Sequence, residues 1–259
     1  GHNRFALSII LAVVKRTWLA FTLSECGEFR TGLDHANRAL GIAEKSEHPL
    51  SEALGWLAIG HVLQRKGELD GAIGSMERGL LFCDSYSLPI WRYRLLSSLG
   101  AAYACCGQLS KGLDLAEQAL AGAERLHLII DQPMFLVHLA QVSLLAKRPE
   151  AALAYGKRAL EIAVAREGKG HEAWARLVIA RSTWVAAPAS THEPAHELET
   201  ALRLATECGA QPLAAFCQTT LGDIHRRRGD KALAKKFTAA ADAVYGDLDM
   251  RPLLLDPVR

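Results

Sequence analysis

Small residues recur in this chain at fixed offsets, and that recurrence limits the available folds more than any other feature. In "IGHVLQRKGELDGAIGSMERGL" they are Gly60, Gly67, Ala72 and Gly79, and in "LGAAYACCGQLSKGLDLAEQAL" they are Gly100, Gly107, Gly112 and Ala119. The offsets from the first member are 7, 12 and 19 in both copies. The same offsets give Ala20, Gly27, Gly32 and Ala39 upstream, then Ala140, Lys147, Ala152 and Ala159, and finally Gly222, Gly229, Ala234 and Ala241. A looser copy, Ala180, Ala187 and Ala201, is lengthened by about two residues. Six copies at a period near forty in 259 residues define a repeat protein.

Each copy reads as two helices and a turn. Trp56, Ile59 and Leu63 keep helical spacing on a first helix, and Ile73, Met76 and Leu80 on a second. Gly27, Gly67, Gly107 and Gly229 fall between the two, where a left-handed residue ends a helix. The other small positions let two helix backbones approach closely. Pro49, Pro89, Pro212 and Pro252 precede or open first helices, where a missing N–H costs nothing.

These residues resemble the tetratricopeptide repeat. Trp56, Ile59, Gly60, Leu63, Gly67, Ala72 and Gly79 carry the likeness, as do Leu99, Gly100, Tyr103, Gly107, Gly112 and Ala119. It covers essentially the whole chain and departs from the common 34-residue period. The closing "LGDIHRRRGDKALAKKFTAAADAVYGDLDMRP" resembles the C-terminal repeat region of bacterial class III nucleotide cyclases with an attached ATPase module. The resemblance implies an all-α, right-handed α-solenoid of about six helix pairs forming one domain over 4–259. Repeats are expected near 13–52, 53–92, 93–132, 133–172, 173–214 and 215–250, with 251–259 opening a further or capping helix.

The rest of the sequence narrows function by exclusion. A net charge of +2 gives no general attraction to nucleic acid or an anionic membrane. The six cysteines contain no C-x-x-C pair and read as reduced thiols of a cytoplasmic protein. The apolar run "FALSIILAVV" before Lys15–Arg16 is too short to span a bilayer and reads as a buried helix. "RRRGDK" (Arg226–Lys231) reads as a solvated surface at an inter-helix turn. Gly1–His2 reads as a cloning remnant, with residues 1–3 outside the natural protein, and the chain as a piece of a larger polypeptide.

One string points the other way. "THEPAH" (Thr191–His196) contains H-E-x-x-H, which in zinc proteases places two ligands one helical turn apart with a general base between them. Pro194 cannot lie in a helix interior but fits a first turn. His192 is therefore expected before the helix and His196 inside it, with no metal held. No nucleotide-binding glycine loop or nucleophile elbow occurs, so no catalytic residue and no cofactor are expected.

The repeat resemblance implies a concave face, lined by first helices, that receives a protein or peptide. Stepping by helical turns from the packing residues places Phe21, Leu57, His61, Arg94, Ala101, Val137, Gln141, Trp174, Arg181 and Trp184 there. For Phe21 and Trp184, packing between repeats is the competing role. The lysine–asparagine carboxylate clamp of some relatives does not carry over, because Asn3 and Asn37 are the only asparagines. The expected function is a non-catalytic interaction or regulatory module from a multidomain bacterial signalling protein. The alternatives are a region of a cyclase whose activity lies elsewhere, and a scaffold that self-associates through Phe5–Val14.

Overall fold

The computed structural model describes residues 10–188 and 192–252. These form twelve helices: α1 (Leu11–Glu25), α2 (Phe29–Lys45), α3 (Pro49–Lys66), α4 (Leu69–Ser85), α5 (Pro89–Cys105), α6 (Leu109–Arg125), α7 (Gln132–Leu145), α8 (Pro149–Ala165), α9 (Lys169–Ala186), α10 (His192–Glu207), α11 (Gln211–Arg227) and α12 (Lys231–Asp247). Among the described residues there is no strand. Consecutive helices pair antiparallel, and the six pairs stack as an all-α solenoid, odd-numbered helices inside. No described helix is long and apolar enough to cross a membrane.

The turn inside a pair is set by glycine. Gly27, Gly67, Gly107 and Gly229 have φ of 87, 85, 81 and 79°. At the second of these, Glu68 N–H donates to Leu63 O (2.9 Å) and Gly67 N–H to Gln64 O (3.1 Å), closing the open carbonyls of α3. The turns between pairs use the same geometry without glycine at Glu47, Ser87, His127 and Glu167, and Asp249 repeats it after α12; all have positive φ. Gly209 takes that role before α11, and Lys147 replaces glycine inside the fourth pair.

Close packing within a pair rests on the small positions. A Cβ on Gly100 would lie 2.8 Å from Gly112 O and 2.9 Å from Ala116 N, so α5 and α6 touch backbone to backbone. The inner helices are apolar on most sides: Leu95, Leu96, Leu99, Leu136, Leu139 and Leu177 are fully buried. The superhelix winds far enough to bring its last pair against its first two. Leu248 covers Gly27, Arg251 N–H donates to Lys66 O (2.9 Å), and Lys66 Nζ lies 3.1 Å from Asp249.

Two expectations change here. His192 is not outside the helix but begins α10, with Pro194 in its first turn, so His192 and His196 are both helical and both exposed. No group of three potential ligands surrounds them among the described residues. At the amino end, Phe5–Ile9 lie outside the described residues. Val13 is fully buried beside Ala39, Ala43 and Leu54, so its own chain covers part of the apolar run, while Leu11 is 64% exposed. Residues 253–259 of the expected capping helix also lie outside the described residues, and Arg251–Pro252 are not helical.

Candidate functional site

Closure of the superhelix leaves an internal cavity of about 470 Å³. It runs obliquely, from the carboxyl half of α1 and the middle of α3 to the first turns of α7, α9 and α11. Phe21, Leu57, Phe135, Trp174 and Leu213 give it apolar walls, and Trp18 stands at the rim, 43% exposed. Phe21 packs on the His61 ring at 4.4 Å between centroids.

Its polar floor is a chain of contacts across three pairs. Arg65, on the last turn of α3, donates Nε–H to Glu25 Oε1 at the end of α1 (2.5 Å). The Arg65 guanidinium lies 4.5 Å over the Trp174 ring, and Trp174 Nε1–H reaches Glu25 Oε2 at 3.4 Å. His61 Nε2 stands 3.3 Å from Glu25 Oε1 and is not aligned as a hydrogen bond. Burial raises the Glu25 pKa, but the Arg65 charge and His61 outweigh it and hold the carboxyl well below the usual carboxylate range. The pair stays ionised.

The histidines respond in the opposite sense. Burial first, then the Arg65 charge, pushes His138 down to about 3. Its Nδ1 meets Ser97 Oγ at 2.8 Å. Burial also lowers His61 and His171. At the rim, Arg94 directs Nε and Nη2 at Asp131 Oδ2 (2.8 and 2.6 Å) and sits between the rings of Trp18 and Trp91 at 5.1 and 4.7 Å.

Of the sequence candidates, Phe21, Leu57, His61, Arg94 and Trp174 meet in this cavity. Ala101 and Val137 are buried in the core around it. Gln141, Arg181 and Trp184 lie further along α7 and α9, away from it. Trp184 is 4% exposed and covered by Arg227, whose guanidinium is 4.8 Å from the ring, so it packs between helices. Glu25, Arg65 and His138 were not among the candidates. A helical step of four supplies a signal for the first two: Phe21 leads to Glu25, and Leu57 and His61 lead to Arg65.

No family model matches this chain, and no curated protein does. Solved structures do. A Rap conjugation gene regulator of plasmid pLS20, in complex with the Phr* peptide, superposes with a TM-score of 0.73 at 15% identity, over 94% of this chain and 65% of that one. BtubC (BKLC) from P. vanneervenii gives 0.59 at 16% identity, over 86% and 94%. A STAND signal-transduction ATPase with a tetratricopeptide repeat sensor, from Pyrococcus horikoshii, gives 0.55 at 17% identity, over 92% of this chain but 39% of its own. The fold is a tetratricopeptide-type solenoid. At these identities the likeness speaks for architecture alone.

Proposed function

We propose that this chain is a non-catalytic interaction module that holds a segment of a protein or peptide partner in its inner cavity. The observation that carries the reading is the cavity itself. It combines aromatic rings with an ion pair held in place, on inner helices from all six pairs and of a size that suits a small ligand or a few residues. Large rigid rings and arginine supply most of the energy where proteins recognise segments. A Rap regulator of similar fold, solved in complex with the Phr* peptide, supports a peptide as the kind of partner.

A regulatory place in a multidomain bacterial signalling protein is part of the proposal, supported by the STAND ATPase in which a similar solenoid is the sensor. The same likeness leaves a region of an ATPase-linked nucleotide cyclase as the second reading. Cytoplasmic residence is proposed from six free thiols, three of them buried. Burial raises those three, Cys83, Cys105 and Cys217, to about 12, which keeps them protonated and unreactive.

The test is a selection of short peptides from a random-sequence library against the intact chain, followed by calorimetric titration. Trp18 is exposed enough to replace without unfolding. Trp18→Ala is expected to weaken a selected peptide by roughly tenfold or more. Absence of binders, or binders indifferent to both Trp18→Ala and Phe21→Ala, would overturn the reading.

A further inference from the structure

The cavity's charges indicate what its occupant carries. Every titratable group facing it can be placed by element: Glu25 and Cys26 from α1, His61 and Arg65 from α3, Arg94 from α5, Asp131 and His138 from the start of α7, Lys169 and His171 from α9, and Cys208 after α10. Arg94 is committed to Asp131, and Lys169 to Glu207 (3.2 Å), with Arg166 also acting on His171 from outside. Glu25 is committed to Arg65. The charged groups are therefore in balance before anything binds.

What is left is asymmetric. Three neutral bases face the cavity, His61, His138 and His171. No protonated carboxyl faces it, since Glu25 stays ionised. Burial keeps the Cys26 thiol protonated as well. The chamber can thus gain a positive charge by taking up a proton, whereas it has no acid ready to lose one. A cation entering it would stay uncompensated, and burying an unpaired charge is costly. An anion would be met by a histidinium.

Donors stand ready for that anion. Arg65 is 3% exposed and lines the cavity, with its Nε–H given to Glu25 and its guanidinium held over Trp174, and His61 Nε2 is buried beside it without a hydrogen-bond partner. His138 uses Nδ1 on Ser97 and keeps Nε2. The first turn of α9, Lys169 to His171, borders the same space; Lys169 N–H is given to Glu167 O (3.1 Å), and the cap Gly168 supplies no side-chain acceptor for the N–H groups that follow.

We propose that the bound segment places a carboxylate, from an acidic side chain or its chain terminus, against Arg65 and the His61–His138–His171 face, and that binding takes up a proton. The inference rests on the reading above, that a segment occupies this cavity. Peptides selected as described are the probes. A binder is expected to lose about tenfold or more in affinity, the worth of one charge-assisted hydrogen bond, when its carboxylate is made an amide. Asp→Asn or Glu→Gln replacements and C-terminal amidation separate the two sources. Calorimetry of the wild-type chain in buffers of different ionisation enthalpy is expected to detect net proton uptake, with affinity rising from pH 8 to pH 6. His171→Gln is expected to reduce that uptake and the pH dependence. Binders whose amide forms bind equally well, or that bind without proton uptake, overturn this inference and leave the segment-binding reading standing. Failure to select any binder overturns both.

Discussion

Gly100→Ala is a minimal test of how the solenoid is packed. The added methyl carbon would stand 2.8 Å from Gly112 O, 2.9 Å from Ala116 N and 3.1 Å from Ala116 Cβ. The first two are backbone atoms, so no side chain can swing aside and α5 must move away from α6. Overpacking of this kind costs about 1–3 kcal/mol. Against it runs the higher helix propensity of alanine, about 0.8–1.0 kcal/mol. A control isolates the second effect: Gly74 in α4 is exposed and has nothing within 4 Å of an added Cβ. Gly74→Ala is therefore expected to stabilise by up to about 1 kcal/mol, and Gly100→Ala to fall below it by roughly 1–3 kcal/mol. Urea and thermal melts measure the difference, at about 2–4 °C per kcal/mol for a chain of this size. Gly100→Leu is expected to cost more, with hydrogen-exchange protection lost first in α5, α6 and the adjoining pairs. Equal stability of Gly100→Ala and Gly74→Ala would refute backbone contact as the reason for the repeated small residues.

Stability is expected to depend on pH through His138, whose folded pKa near 3 lies below its ordinary value of about 6.5. Its stabilisation is complete above about pH 6.5 and is lost as pH falls toward 3, by at most about 1.4 kcal/mol per unit. His138→Leu flattens urea midpoints between pH 7.5 and 5, and parallel curves for variant and wild type would contradict this. Glu25 adds a second loss in more acid solution, because a depressed carboxyl stabilises above about pH 4.3 and fails as pH drops through its folded value. Gly67→Ala and Gly107→Ala share nearly the same positive φ, but only Gly67 has a neighbour, Arg251 O at 2.5 Å from an added Cβ. Both are expected to lose about 1–2 kcal/mol from left-handed strain, and Gly67→Ala also to expand the molecule in small-angle scattering; identical scattering would argue against closure at Arg251. Purified chain is expected to bind no stoichiometric zinc, and zinc lost on His196→Ala would overturn that. Self-association, if it uses the amino end, is expected to respond to Leu11→Glu in analytical ultracentrifugation, whereas Val13→Glu would unfold the buried start of α1.

The period was readable because glycine leaves a trace wherever backbones touch or φ turns positive. Gly27, Gly67, Gly107 and Gly229 announced their turns for this reason. Glu47, Ser87, His127, Lys147 and Glu167 adopt the same conformation and announced nothing, since the local fold holds an ordinary residue there against its preference. The cavity divides along the same line. Phe21, His61 and Trp174 stood out as large side chains on inner faces. Glu25 and Arg65 were not singled out, since only contact with Trp174, 149 residues from Glu25, brings them to the cavity as a pair. Trp184 was left open between groove and packing, because helical stepping cannot tell a groove from a seam between helices, and it is buried in the seam.

The meeting of Leu248 with Gly27 and of Arg251 with Lys66 changes the arithmetic of the array. An open solenoid has two loose ends, and unfolding can fray inward from either with only one neighbour resisting. Here the terminal pairs are each other's neighbours across more than 200 residues of chain. Fraying at one end strips contacts from the other, so partial unfolding is penalised twice and the transition sharpens. Such contacts also form late, after the intervening chain is in place, because joining distant segments costs loop entropy. Deleting α12 should therefore loosen α1 and α3 at the opposite end of the sequence, a coupling that nearest-neighbour stacking alone does not contain.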